Sequence, residues 1–116
     1  LIMKTIVIGG GSFIAKQFID FCKKSGTDFF FTDYKSEKHK YRFDLQQPNF
    51  SILPTSNDYN YAIITAGIPN IAFCEKNIST SYLCNVSTQL ALGKFFVKNG
   101  ITPIFFLFVL AFPLES

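Results

Sequence analysis

Four apolar runs punctuate this 116-residue sequence: "KTIVIG" (4–9), "DFFFTD" (28–33), "YAIITAG" (61–67) and "PIFFLFVLAF" (103–112). None alternates apolar with polar residues, so none suits a sheet with one face in water. Continuous runs suit strands covered on both faces, as in a parallel sheet with helices on each side. A weaker run, "YRFDL" (41–45), reads as a short edge strand.

Helical patterns fall between the runs. From Ser12 to Ser25, Phe13, Ile14, Phe18, Phe21 and Cys22 are expected on one face, with Lys16, Gln17, Asp20, Lys23 and Lys24 opposite. Gly26 supplies a C-terminal stop. A second pattern runs from about Ser79 to Lys98, with an apolar stripe of Tyr82, Leu83, Val86, Leu90, Gly93 and Val97. Ser79 is its expected N-cap and Asn99-Gly100 its stop. The order β-α-β-β-β-α-β predicts one α/β domain, a Rossmann-like parallel sheet with helices on both faces.

Bulk properties narrow the partners. A net charge of +3 is too mild for a nucleic-acid surface. Cys22, Cys74 and Cys84 are odd in number and lack CxxC spacing. Neither a disulfide framework nor a metal site is expected, and a reducing cytoplasm is the natural compartment. The apolar stretch near the end is shorter than the ~18–20 residues that cross a bilayer and contains prolines. No membrane partner is expected.

The first run ends in "GGGSFIA" (9–15), where a strand gives way to a helix. Free backbone N–H groups at such a helix start point at an anion, and the helix dipole favours negative charge. Gly9 permits the sharp turn, Gly10 and Gly11 remove side chains from the approach, and Ser12 adds a hydroxyl donor. Ala15 lets the helix lie close to the strand. Asp33 ends the second run, 24 residues after Gly9. A carboxylate there accepts hydrogen bonds from the adenosine ribose and repels a 2′-phosphate, which favours NAD over NADP. Lys35, Lys38, Lys40 and Arg42 follow as an alternative phosphate grip, or simply as a solvated loop that also carries His39.

Together these residues resemble the extended short-chain dehydrogenase/reductases, the NAD-dependent epimerase/dehydratase group, and among them the sugar-nucleotide reductases related to dTDP-4-dehydrorhamnose reductase. "VIGGGSFIA" resembles the opening turn of that family, with Phe13-Ile14 as the apolar pair. Asp33 matches the ribose-binding acid. Asp44 and Leu45 resemble the pair that lies against adenine. Ala66 and Gly67 match the strand end beneath the cofactor. Asn85-Val86 matches a pair whose Asn helps organise the active site. The resemblance covers about residues 3–106 and implies NAD or NADP as cofactor.

The departures are equally informative. Ser12 and Ala15 replace glycines, and Ile64 and Thr65 stand where Asn or Ala is usual. Leu107 and Phe108 occupy the family's Ser/Thr positions after the fifth strand. The family's Tyr-x-x-x-Lys follows on a later helix, and neither member is assignable here; Tyr82 is no substitute. No catalytic residue is therefore assigned, and whether the chain is an enzyme stays open. The expectation is an N-terminal NAD(P)-binding portion of a sugar-nucleotide reductase or epimerase, truncated after about the fifth strand, with 107–116 as an atypical tail. A sugar nucleotide is expected only in a full-length relative. Two alternatives remain: a non-catalytic interaction module that self-associates through exposed apolar sheet, and another Rossmann-like nucleotide protein such as a methyltransferase.

Overall fold

The computed structural model describes residues 4–35, 41–55 and 58–106. Four parallel strands form one sheet in the order β2-β1-β3-β4: β1 (Thr5–Ile8), β2 (Phe29–Phe31), β3 (Tyr61–Ile64) and β4 (Thr102–Phe105). Helix α1 (Phe13–Ser25) connects β1 to β2. Helices α2 (Ile71–Lys76), α3 (Ile78–Tyr82) and α4 (Thr88–Lys98) lie between β3 and β4, with a π-helical turn at Leu83–Ser87 joining α3 to α4. Rossmann-like architecture, expected from the unalternating runs, is what the chain adopts.

Strand alternation divides the core into two layers. Val7 of β1 packs with Ala15 and Ile19 of α1, flanked by Phe18, Phe29 and Phe31. Ile6 and Ile8 point the other way, to Leu92 and Phe96 of α4, with Ala62 and Ile64 beside them. Both faces of β1 are thus buried, and all four of its residues are inaccessible.

The element ends follow local chemistry. Ser12 caps α1 by accepting from the Ala15 amide, and Gly26 closes it in the left-handed region at φ 71°. Asn99 and Gly100 end α4 as expected, with Asn99 Nδ2 donating to the Phe95 carbonyl at 2.7 Å. The expected cap at Ser79 is displaced: α3 begins at Ile78, after Asn77. Asn70 caps α2 instead, accepting from the Phe73 amide.

Three expectations need correction. "YRFDL" is not a strand; it touches β2 only through the parallel bridge between Asp33 and Arg42. Phe43 turns into the core there, meeting Phe50 edge-on at 5.9 Å, and this pulls the chain off the sheet edge. The buried face of α1 is Ala15, Ile19 and Cys22, while Phe13 and Phe21 are 77% and 63% exposed. Close approach to β1 selects the small Ala15 for the centre of that face. The stripe predicted for the last helix is also turned outward. Leu90 and Val97 are 61% and 65% exposed, and the buried ridge is Cys84, Thr88, Leu92 and Phe96, in steps of four. Thr88 is accommodated because its hydroxyl donates to the Leu45 carbonyl at 2.6 Å.

This ridge is directly testable. Phe96→Ala is expected to destabilise by about 3–5 kcal/mol, whereas Leu90→Ala falls within about 0.5 kcal/mol of the parent. Urea denaturation of the two variants checks the assignment, and the reverse order refutes it.

Candidate functional site

The chain leaves β1 for β2 on one side and later enters β3 on the other. A crevice opens beyond the strand ends at such a topological switch point. Here it is a cleft of about 710 Å³, bordered by Gly9 and Ser12 after β1, Asp33 after β2, and Thr65 and Ala66 after β3. Asp44, Leu45 and Gly67 line it as well.

The three glycines meet three different neighbours. Gly9 has φ 95°, and a Cβ there would lie 2.8 Å from the Ala66 nitrogen. The sharp turn expected at Gly9 is therefore real, and β3 closes against it. Gly10 is buried. A Cβ on it would lie 2.5 Å from the Phe31 ring, and its N–H donates to the Thr32 carbonyl at 2.6 Å. Its missing side chain makes room for β2, which corrects the expectation that it clears a ligand's approach. Gly11 lines the cleft with Gly9, and a Cβ on it would stand 3.0 Å from Asp33 Oδ1.

Ser12 also departs from expectation. Its hydroxyl accepts from the Ala15 amide at 3.1 Å and donates to Thr65 Oγ1 at 3.0 Å. The proton expected for a ligand is committed to the protein. Backbone amides provide the donors instead. Among the described residues, no acceptor takes the N–H groups of Gly11, Phe13 or Ile14. The Phe13 and Ile14 amides belong to the helix start, where the dipole is positive, but neither residue lines the cleft.

Asp33 stands beside Gly11, and Asp44 lines the same cleft. Asp33 Oδ1 accepts from the Lys35 amide at 3.1 Å, and Asp44 Oδ1 accepts from the Gln46 amide at 2.9 Å. Both carboxylates keep acceptor capacity toward the cleft. Arg42 donates its Nε–H to the Tyr34 carbonyl and lies 5.0 Å over the Tyr34 ring. Lys38, His39 and Lys40 lie outside the described residues, as do Leu107, Phe108 and the tail 107–116.

Asn85 sits in the π turn. Its Oδ1 accepts from the Ile68 amide at 2.8 Å, and its Nδ2 donates to the Ile68 carbonyl at 3.0 Å. This two-point clamp holds the loop after Gly67, and a Cβ on Gly67 would lie 3.4 Å from Asn85 Oδ1. A second hollow of about 420 Å³ adjoins the cleft across Ala66–Pro69, bordered by Cys74, Asn85 and Phe106. The structure therefore brings Gly9, Gly11, Ser12, Asp33, Asp44, Leu45, Ala66 and Gly67 to one cleft, with Asn85 at the adjoining hollow.

Several contributors carry no local sequence signal. Thr32 Oγ1 accepts from the Gly9 amide at 3.2 Å, and Gln89 Nε2 donates to the Ala66 carbonyl at 2.8 Å. A Tyr-x-x-x-Lys spacing does occur, at Tyr34 and Lys38. It follows β2 beside Asp33, far in the chain from the helix where the resemblance places that pair. Among the described residues, no group of three or more His, Cys, Asp or Glu gathers as for a metal, and no helix is long and apolar enough to cross a membrane.

Fold and cleft define a Rossmann-like α/β unit with a crevice at its switch point. Solved structures of the same fold include UDP-glucose 4-epimerases and a short-chain dehydrogenase/reductase superfamily protein. The UDP-glucose 4-epimerase of Thermotoga maritima, solved with UDP-glucose, superimposes with a TM-score of 0.71 at 19% identity, over 89% of this chain and 37% of that one. The UDP-glucose 4-epimerase of Thermus thermophilus, solved with NAD, gives 0.65 at 14% identity, over 84% and 35%. A short-chain dehydrogenase/reductase superfamily protein from Agrobacterium tumefaciens with bound NAD gives 0.67 at 11%, over 88% and 31%. The chain spans about a third of the length of these structures. The likeness establishes the fold. No protein-family model and no curated protein sequence matches the chain.

Two measurements probe the site's framework. Ser12→Ala removes a helix cap and is expected to cost about 1–2 kcal/mol in a thermal or urea melt. The second is a pH series. Burial pushes the Cys84 thiol up, with the Asp44 carboxylate adding to the effect, and burial does the same for Cys22. A raised folded-state value means stability is full below the unfolded thiol's pKa, ~8.5, and is lost as pH climbs through the raised value. The urea midpoint is expected to fall as pH rises above about 8.5, less steeply in Cys84→Ala. An alkaline limb unchanged in that variant refutes the assignment.

Proposed function

We propose that this chain is the dinucleotide-binding portion of an NAD(P)-dependent sugar-nucleotide oxidoreductase or epimerase of the extended short-chain dehydrogenase/reductase type. One observation carries the reading: the free amide of Gly11, at a helix start whose Phe13 and Ile14 amides are also unclaimed among the described residues, and the Asp33 carboxylate border a single cleft. A diphosphate fits the amides, because Gly11 presents no side chain and the helix start is positive. The adenosine ribose fits Asp33, which accepts from its hydroxyls and disfavours a 2′-phosphate, so NAD is preferred to NADP. Asp44 and Leu45 border the adenine end, and Ala66 and Gly67 the floor beneath the nicotinamide half. NAD bound in structures of the same fold supports this cofactor class.

The nicotinamide would supply hydride chemistry when bound, and this chain's residues orient it. A sugar nucleotide is the substrate class we assign to the longer enzyme, supported by UDP-glucose in one structural neighbour. The domain assignment, 1–116 as a partial dinucleotide-binding unit with an atypical tail from 107, follows from the same reading. Three free cysteines suit a reducing cytoplasm.

Titration with NADH, followed by its fluorescence, tests the proposal. NADH is expected to bind more tightly than NADPH, and Asp33→Asn is expected to weaken NADH roughly tenfold while narrowing that gap. Absence of binding at millimolar cofactor overturns the reading, and tighter binding of S-adenosylmethionine reassigns the cleft to another nucleotide class.

A second reading rests on exposed apolar surface. Ile104, Phe105 and Phe106 at the β4 edge are each about 40% exposed, and Leu90 and Val97 face outward on α4. Such surface favours association. Size-exclusion chromatography separates this reading from the first, because a clean monomer excludes self-association and leaves dinucleotide binding intact.

A further inference from the structure

Gln89 lies one turn beyond Asn85, and its Nε2 serves two backbone carbonyls. It donates to Ala66 at 2.8 Å and to Cys84 at 3.2 Å. The two carbonyls belong to different elements, since Ala66 follows β3 and Cys84 lies in the π turn. The π turn creates the need for the second bond. Thr88 N–H reaches back five residues to the Leu83 carbonyl, so the α-helical partner passes over the Cys84 carbonyl. The Gln89 side chain meets it with the same nitrogen that holds Ala66. An amide nitrogen carries two hydrogens, one for each carbonyl.

Ala66 occupies the tightest point of the cleft. Its N–H donates to the Ile8 carbonyl at 3.1 Å, and its nitrogen sits where a Cβ on Gly9 would collide. Ile8 and Gly9 constrain one side of Ala66, and Gln89 constrains the other. Gln89 borders the smaller hollow and is not among the residues that line the large cleft. Its influence there passes through Ala66.

We propose that Gln89 is a positioning residue for the dinucleotide. By locking the π turn to Ala66, it sets the gap between the Ala66–Gly67 ledge and the glycine turn that receives the diphosphate. This inference rests on the cleft being a dinucleotide site. The π turn is then part of the binding architecture, in keeping with the frequent use of such turns at functional sites.

Two substitutions separate positioning from simple packing. In Gln89→Leu both carbonyls lose their shared donor. In Gln89→Glu an ionised carboxylate opposes two carbonyl oxygens, while a protonated one donates to one of them. The ordinary glutamate pKa is ~4.3, and burial among acceptors raises it. The experiment is calorimetric titration of the full chain with NAD⁺ at about pH 5 and about pH 8, with far-UV circular dichroism of each variant. At the higher pH the Glu variant is expected to bind roughly tenfold more weakly than the parent. At the lower pH it recovers to within roughly threefold, while the Leu variant stays weak at both and the parent changes little.

Parental affinity in either variant at the higher pH overturns the inference, as does a loss in the Glu variant that ignores pH. If Gln89→Leu loses its helical signal, the Glu variant across the two pH values decides alone. A parent chain that binds no NAD⁺ overturns the proposed function instead, and amide hydrogen exchange then judges the clamp. Faster exchange at Ala66 and Gly67 in the variants, with Ile6 and Val7 unchanged, supports it; unchanged exchange at Ala66 refutes it.

Discussion

Thr65 ends the β3 segment with its hydroxyl enclosed between three pieces of chain. It points at the carbonyls of Ile8 and Gly9, each at 3.0 Å, and receives the Ser12 proton at the same distance. Ser12 in turn holds the start of α1 through the Ala15 amide. One buried oxygen therefore joins the end of β1, the end of β3 and the first turn of α1. Hydrogen bonds in such surroundings polarise one another, and leaving any member unpaired is costly. The bend at Gly9, the aim of the helix axis and the placement of Gly11 beneath Asp33 all depend on this junction.

The resulting cleft carries both donors and carboxylates. Unclaimed amides gather at the helix start, the Asp33 carboxylate stands beside Gly11, and Asp44 lines the cleft as well. A ligand with anionic oxygens and with hydroxyl or amino donors complements that pattern. The wall formed by Ala66–Pro69 is held separately, because Asn85 grips both the amide and the carbonyl of Ile68. Backbone amides and the two carboxylates supply the charge pattern, and side-chain amides of Asn85 and Gln89 hold the wall.

Much of this was legible because the relevant signals are local. Unalternating runs gave the parallel strands, and Ser12, Gly26 and Asn99-Gly100 marked helix ends through their own capping chemistry. Helix faces were less legible, since periodicity alone cannot weigh bulk against proximity. Around α1 the sheet demands a small residue at Ala15, so the larger Phe13 and Phe21 are turned outward. In the last helix the π turn inserts an extra residue and changes the phase of everything beyond it. Thr65 looked like a departure from the family pattern and is the hub of the turn. Its importance lies in partners 53 to 57 residues away, which no window of sequence reveals.

The open edge of β4 carries a further consequence. The amides of Thr102 and Phe106 point inward, to Asn60 and Ile64 of the β3 segment. Alternation in a parallel ladder then turns positions 103 and 105 outward. Position 103 is proline and has no hydrogen to offer. Among the described residues, the margin of the sheet is therefore blunt where β4 begins and able to donate only from Phe105, beside the smaller hollow. Any additional strand must take its register from that end, so sheet growth and ligand access share one rim of the molecule.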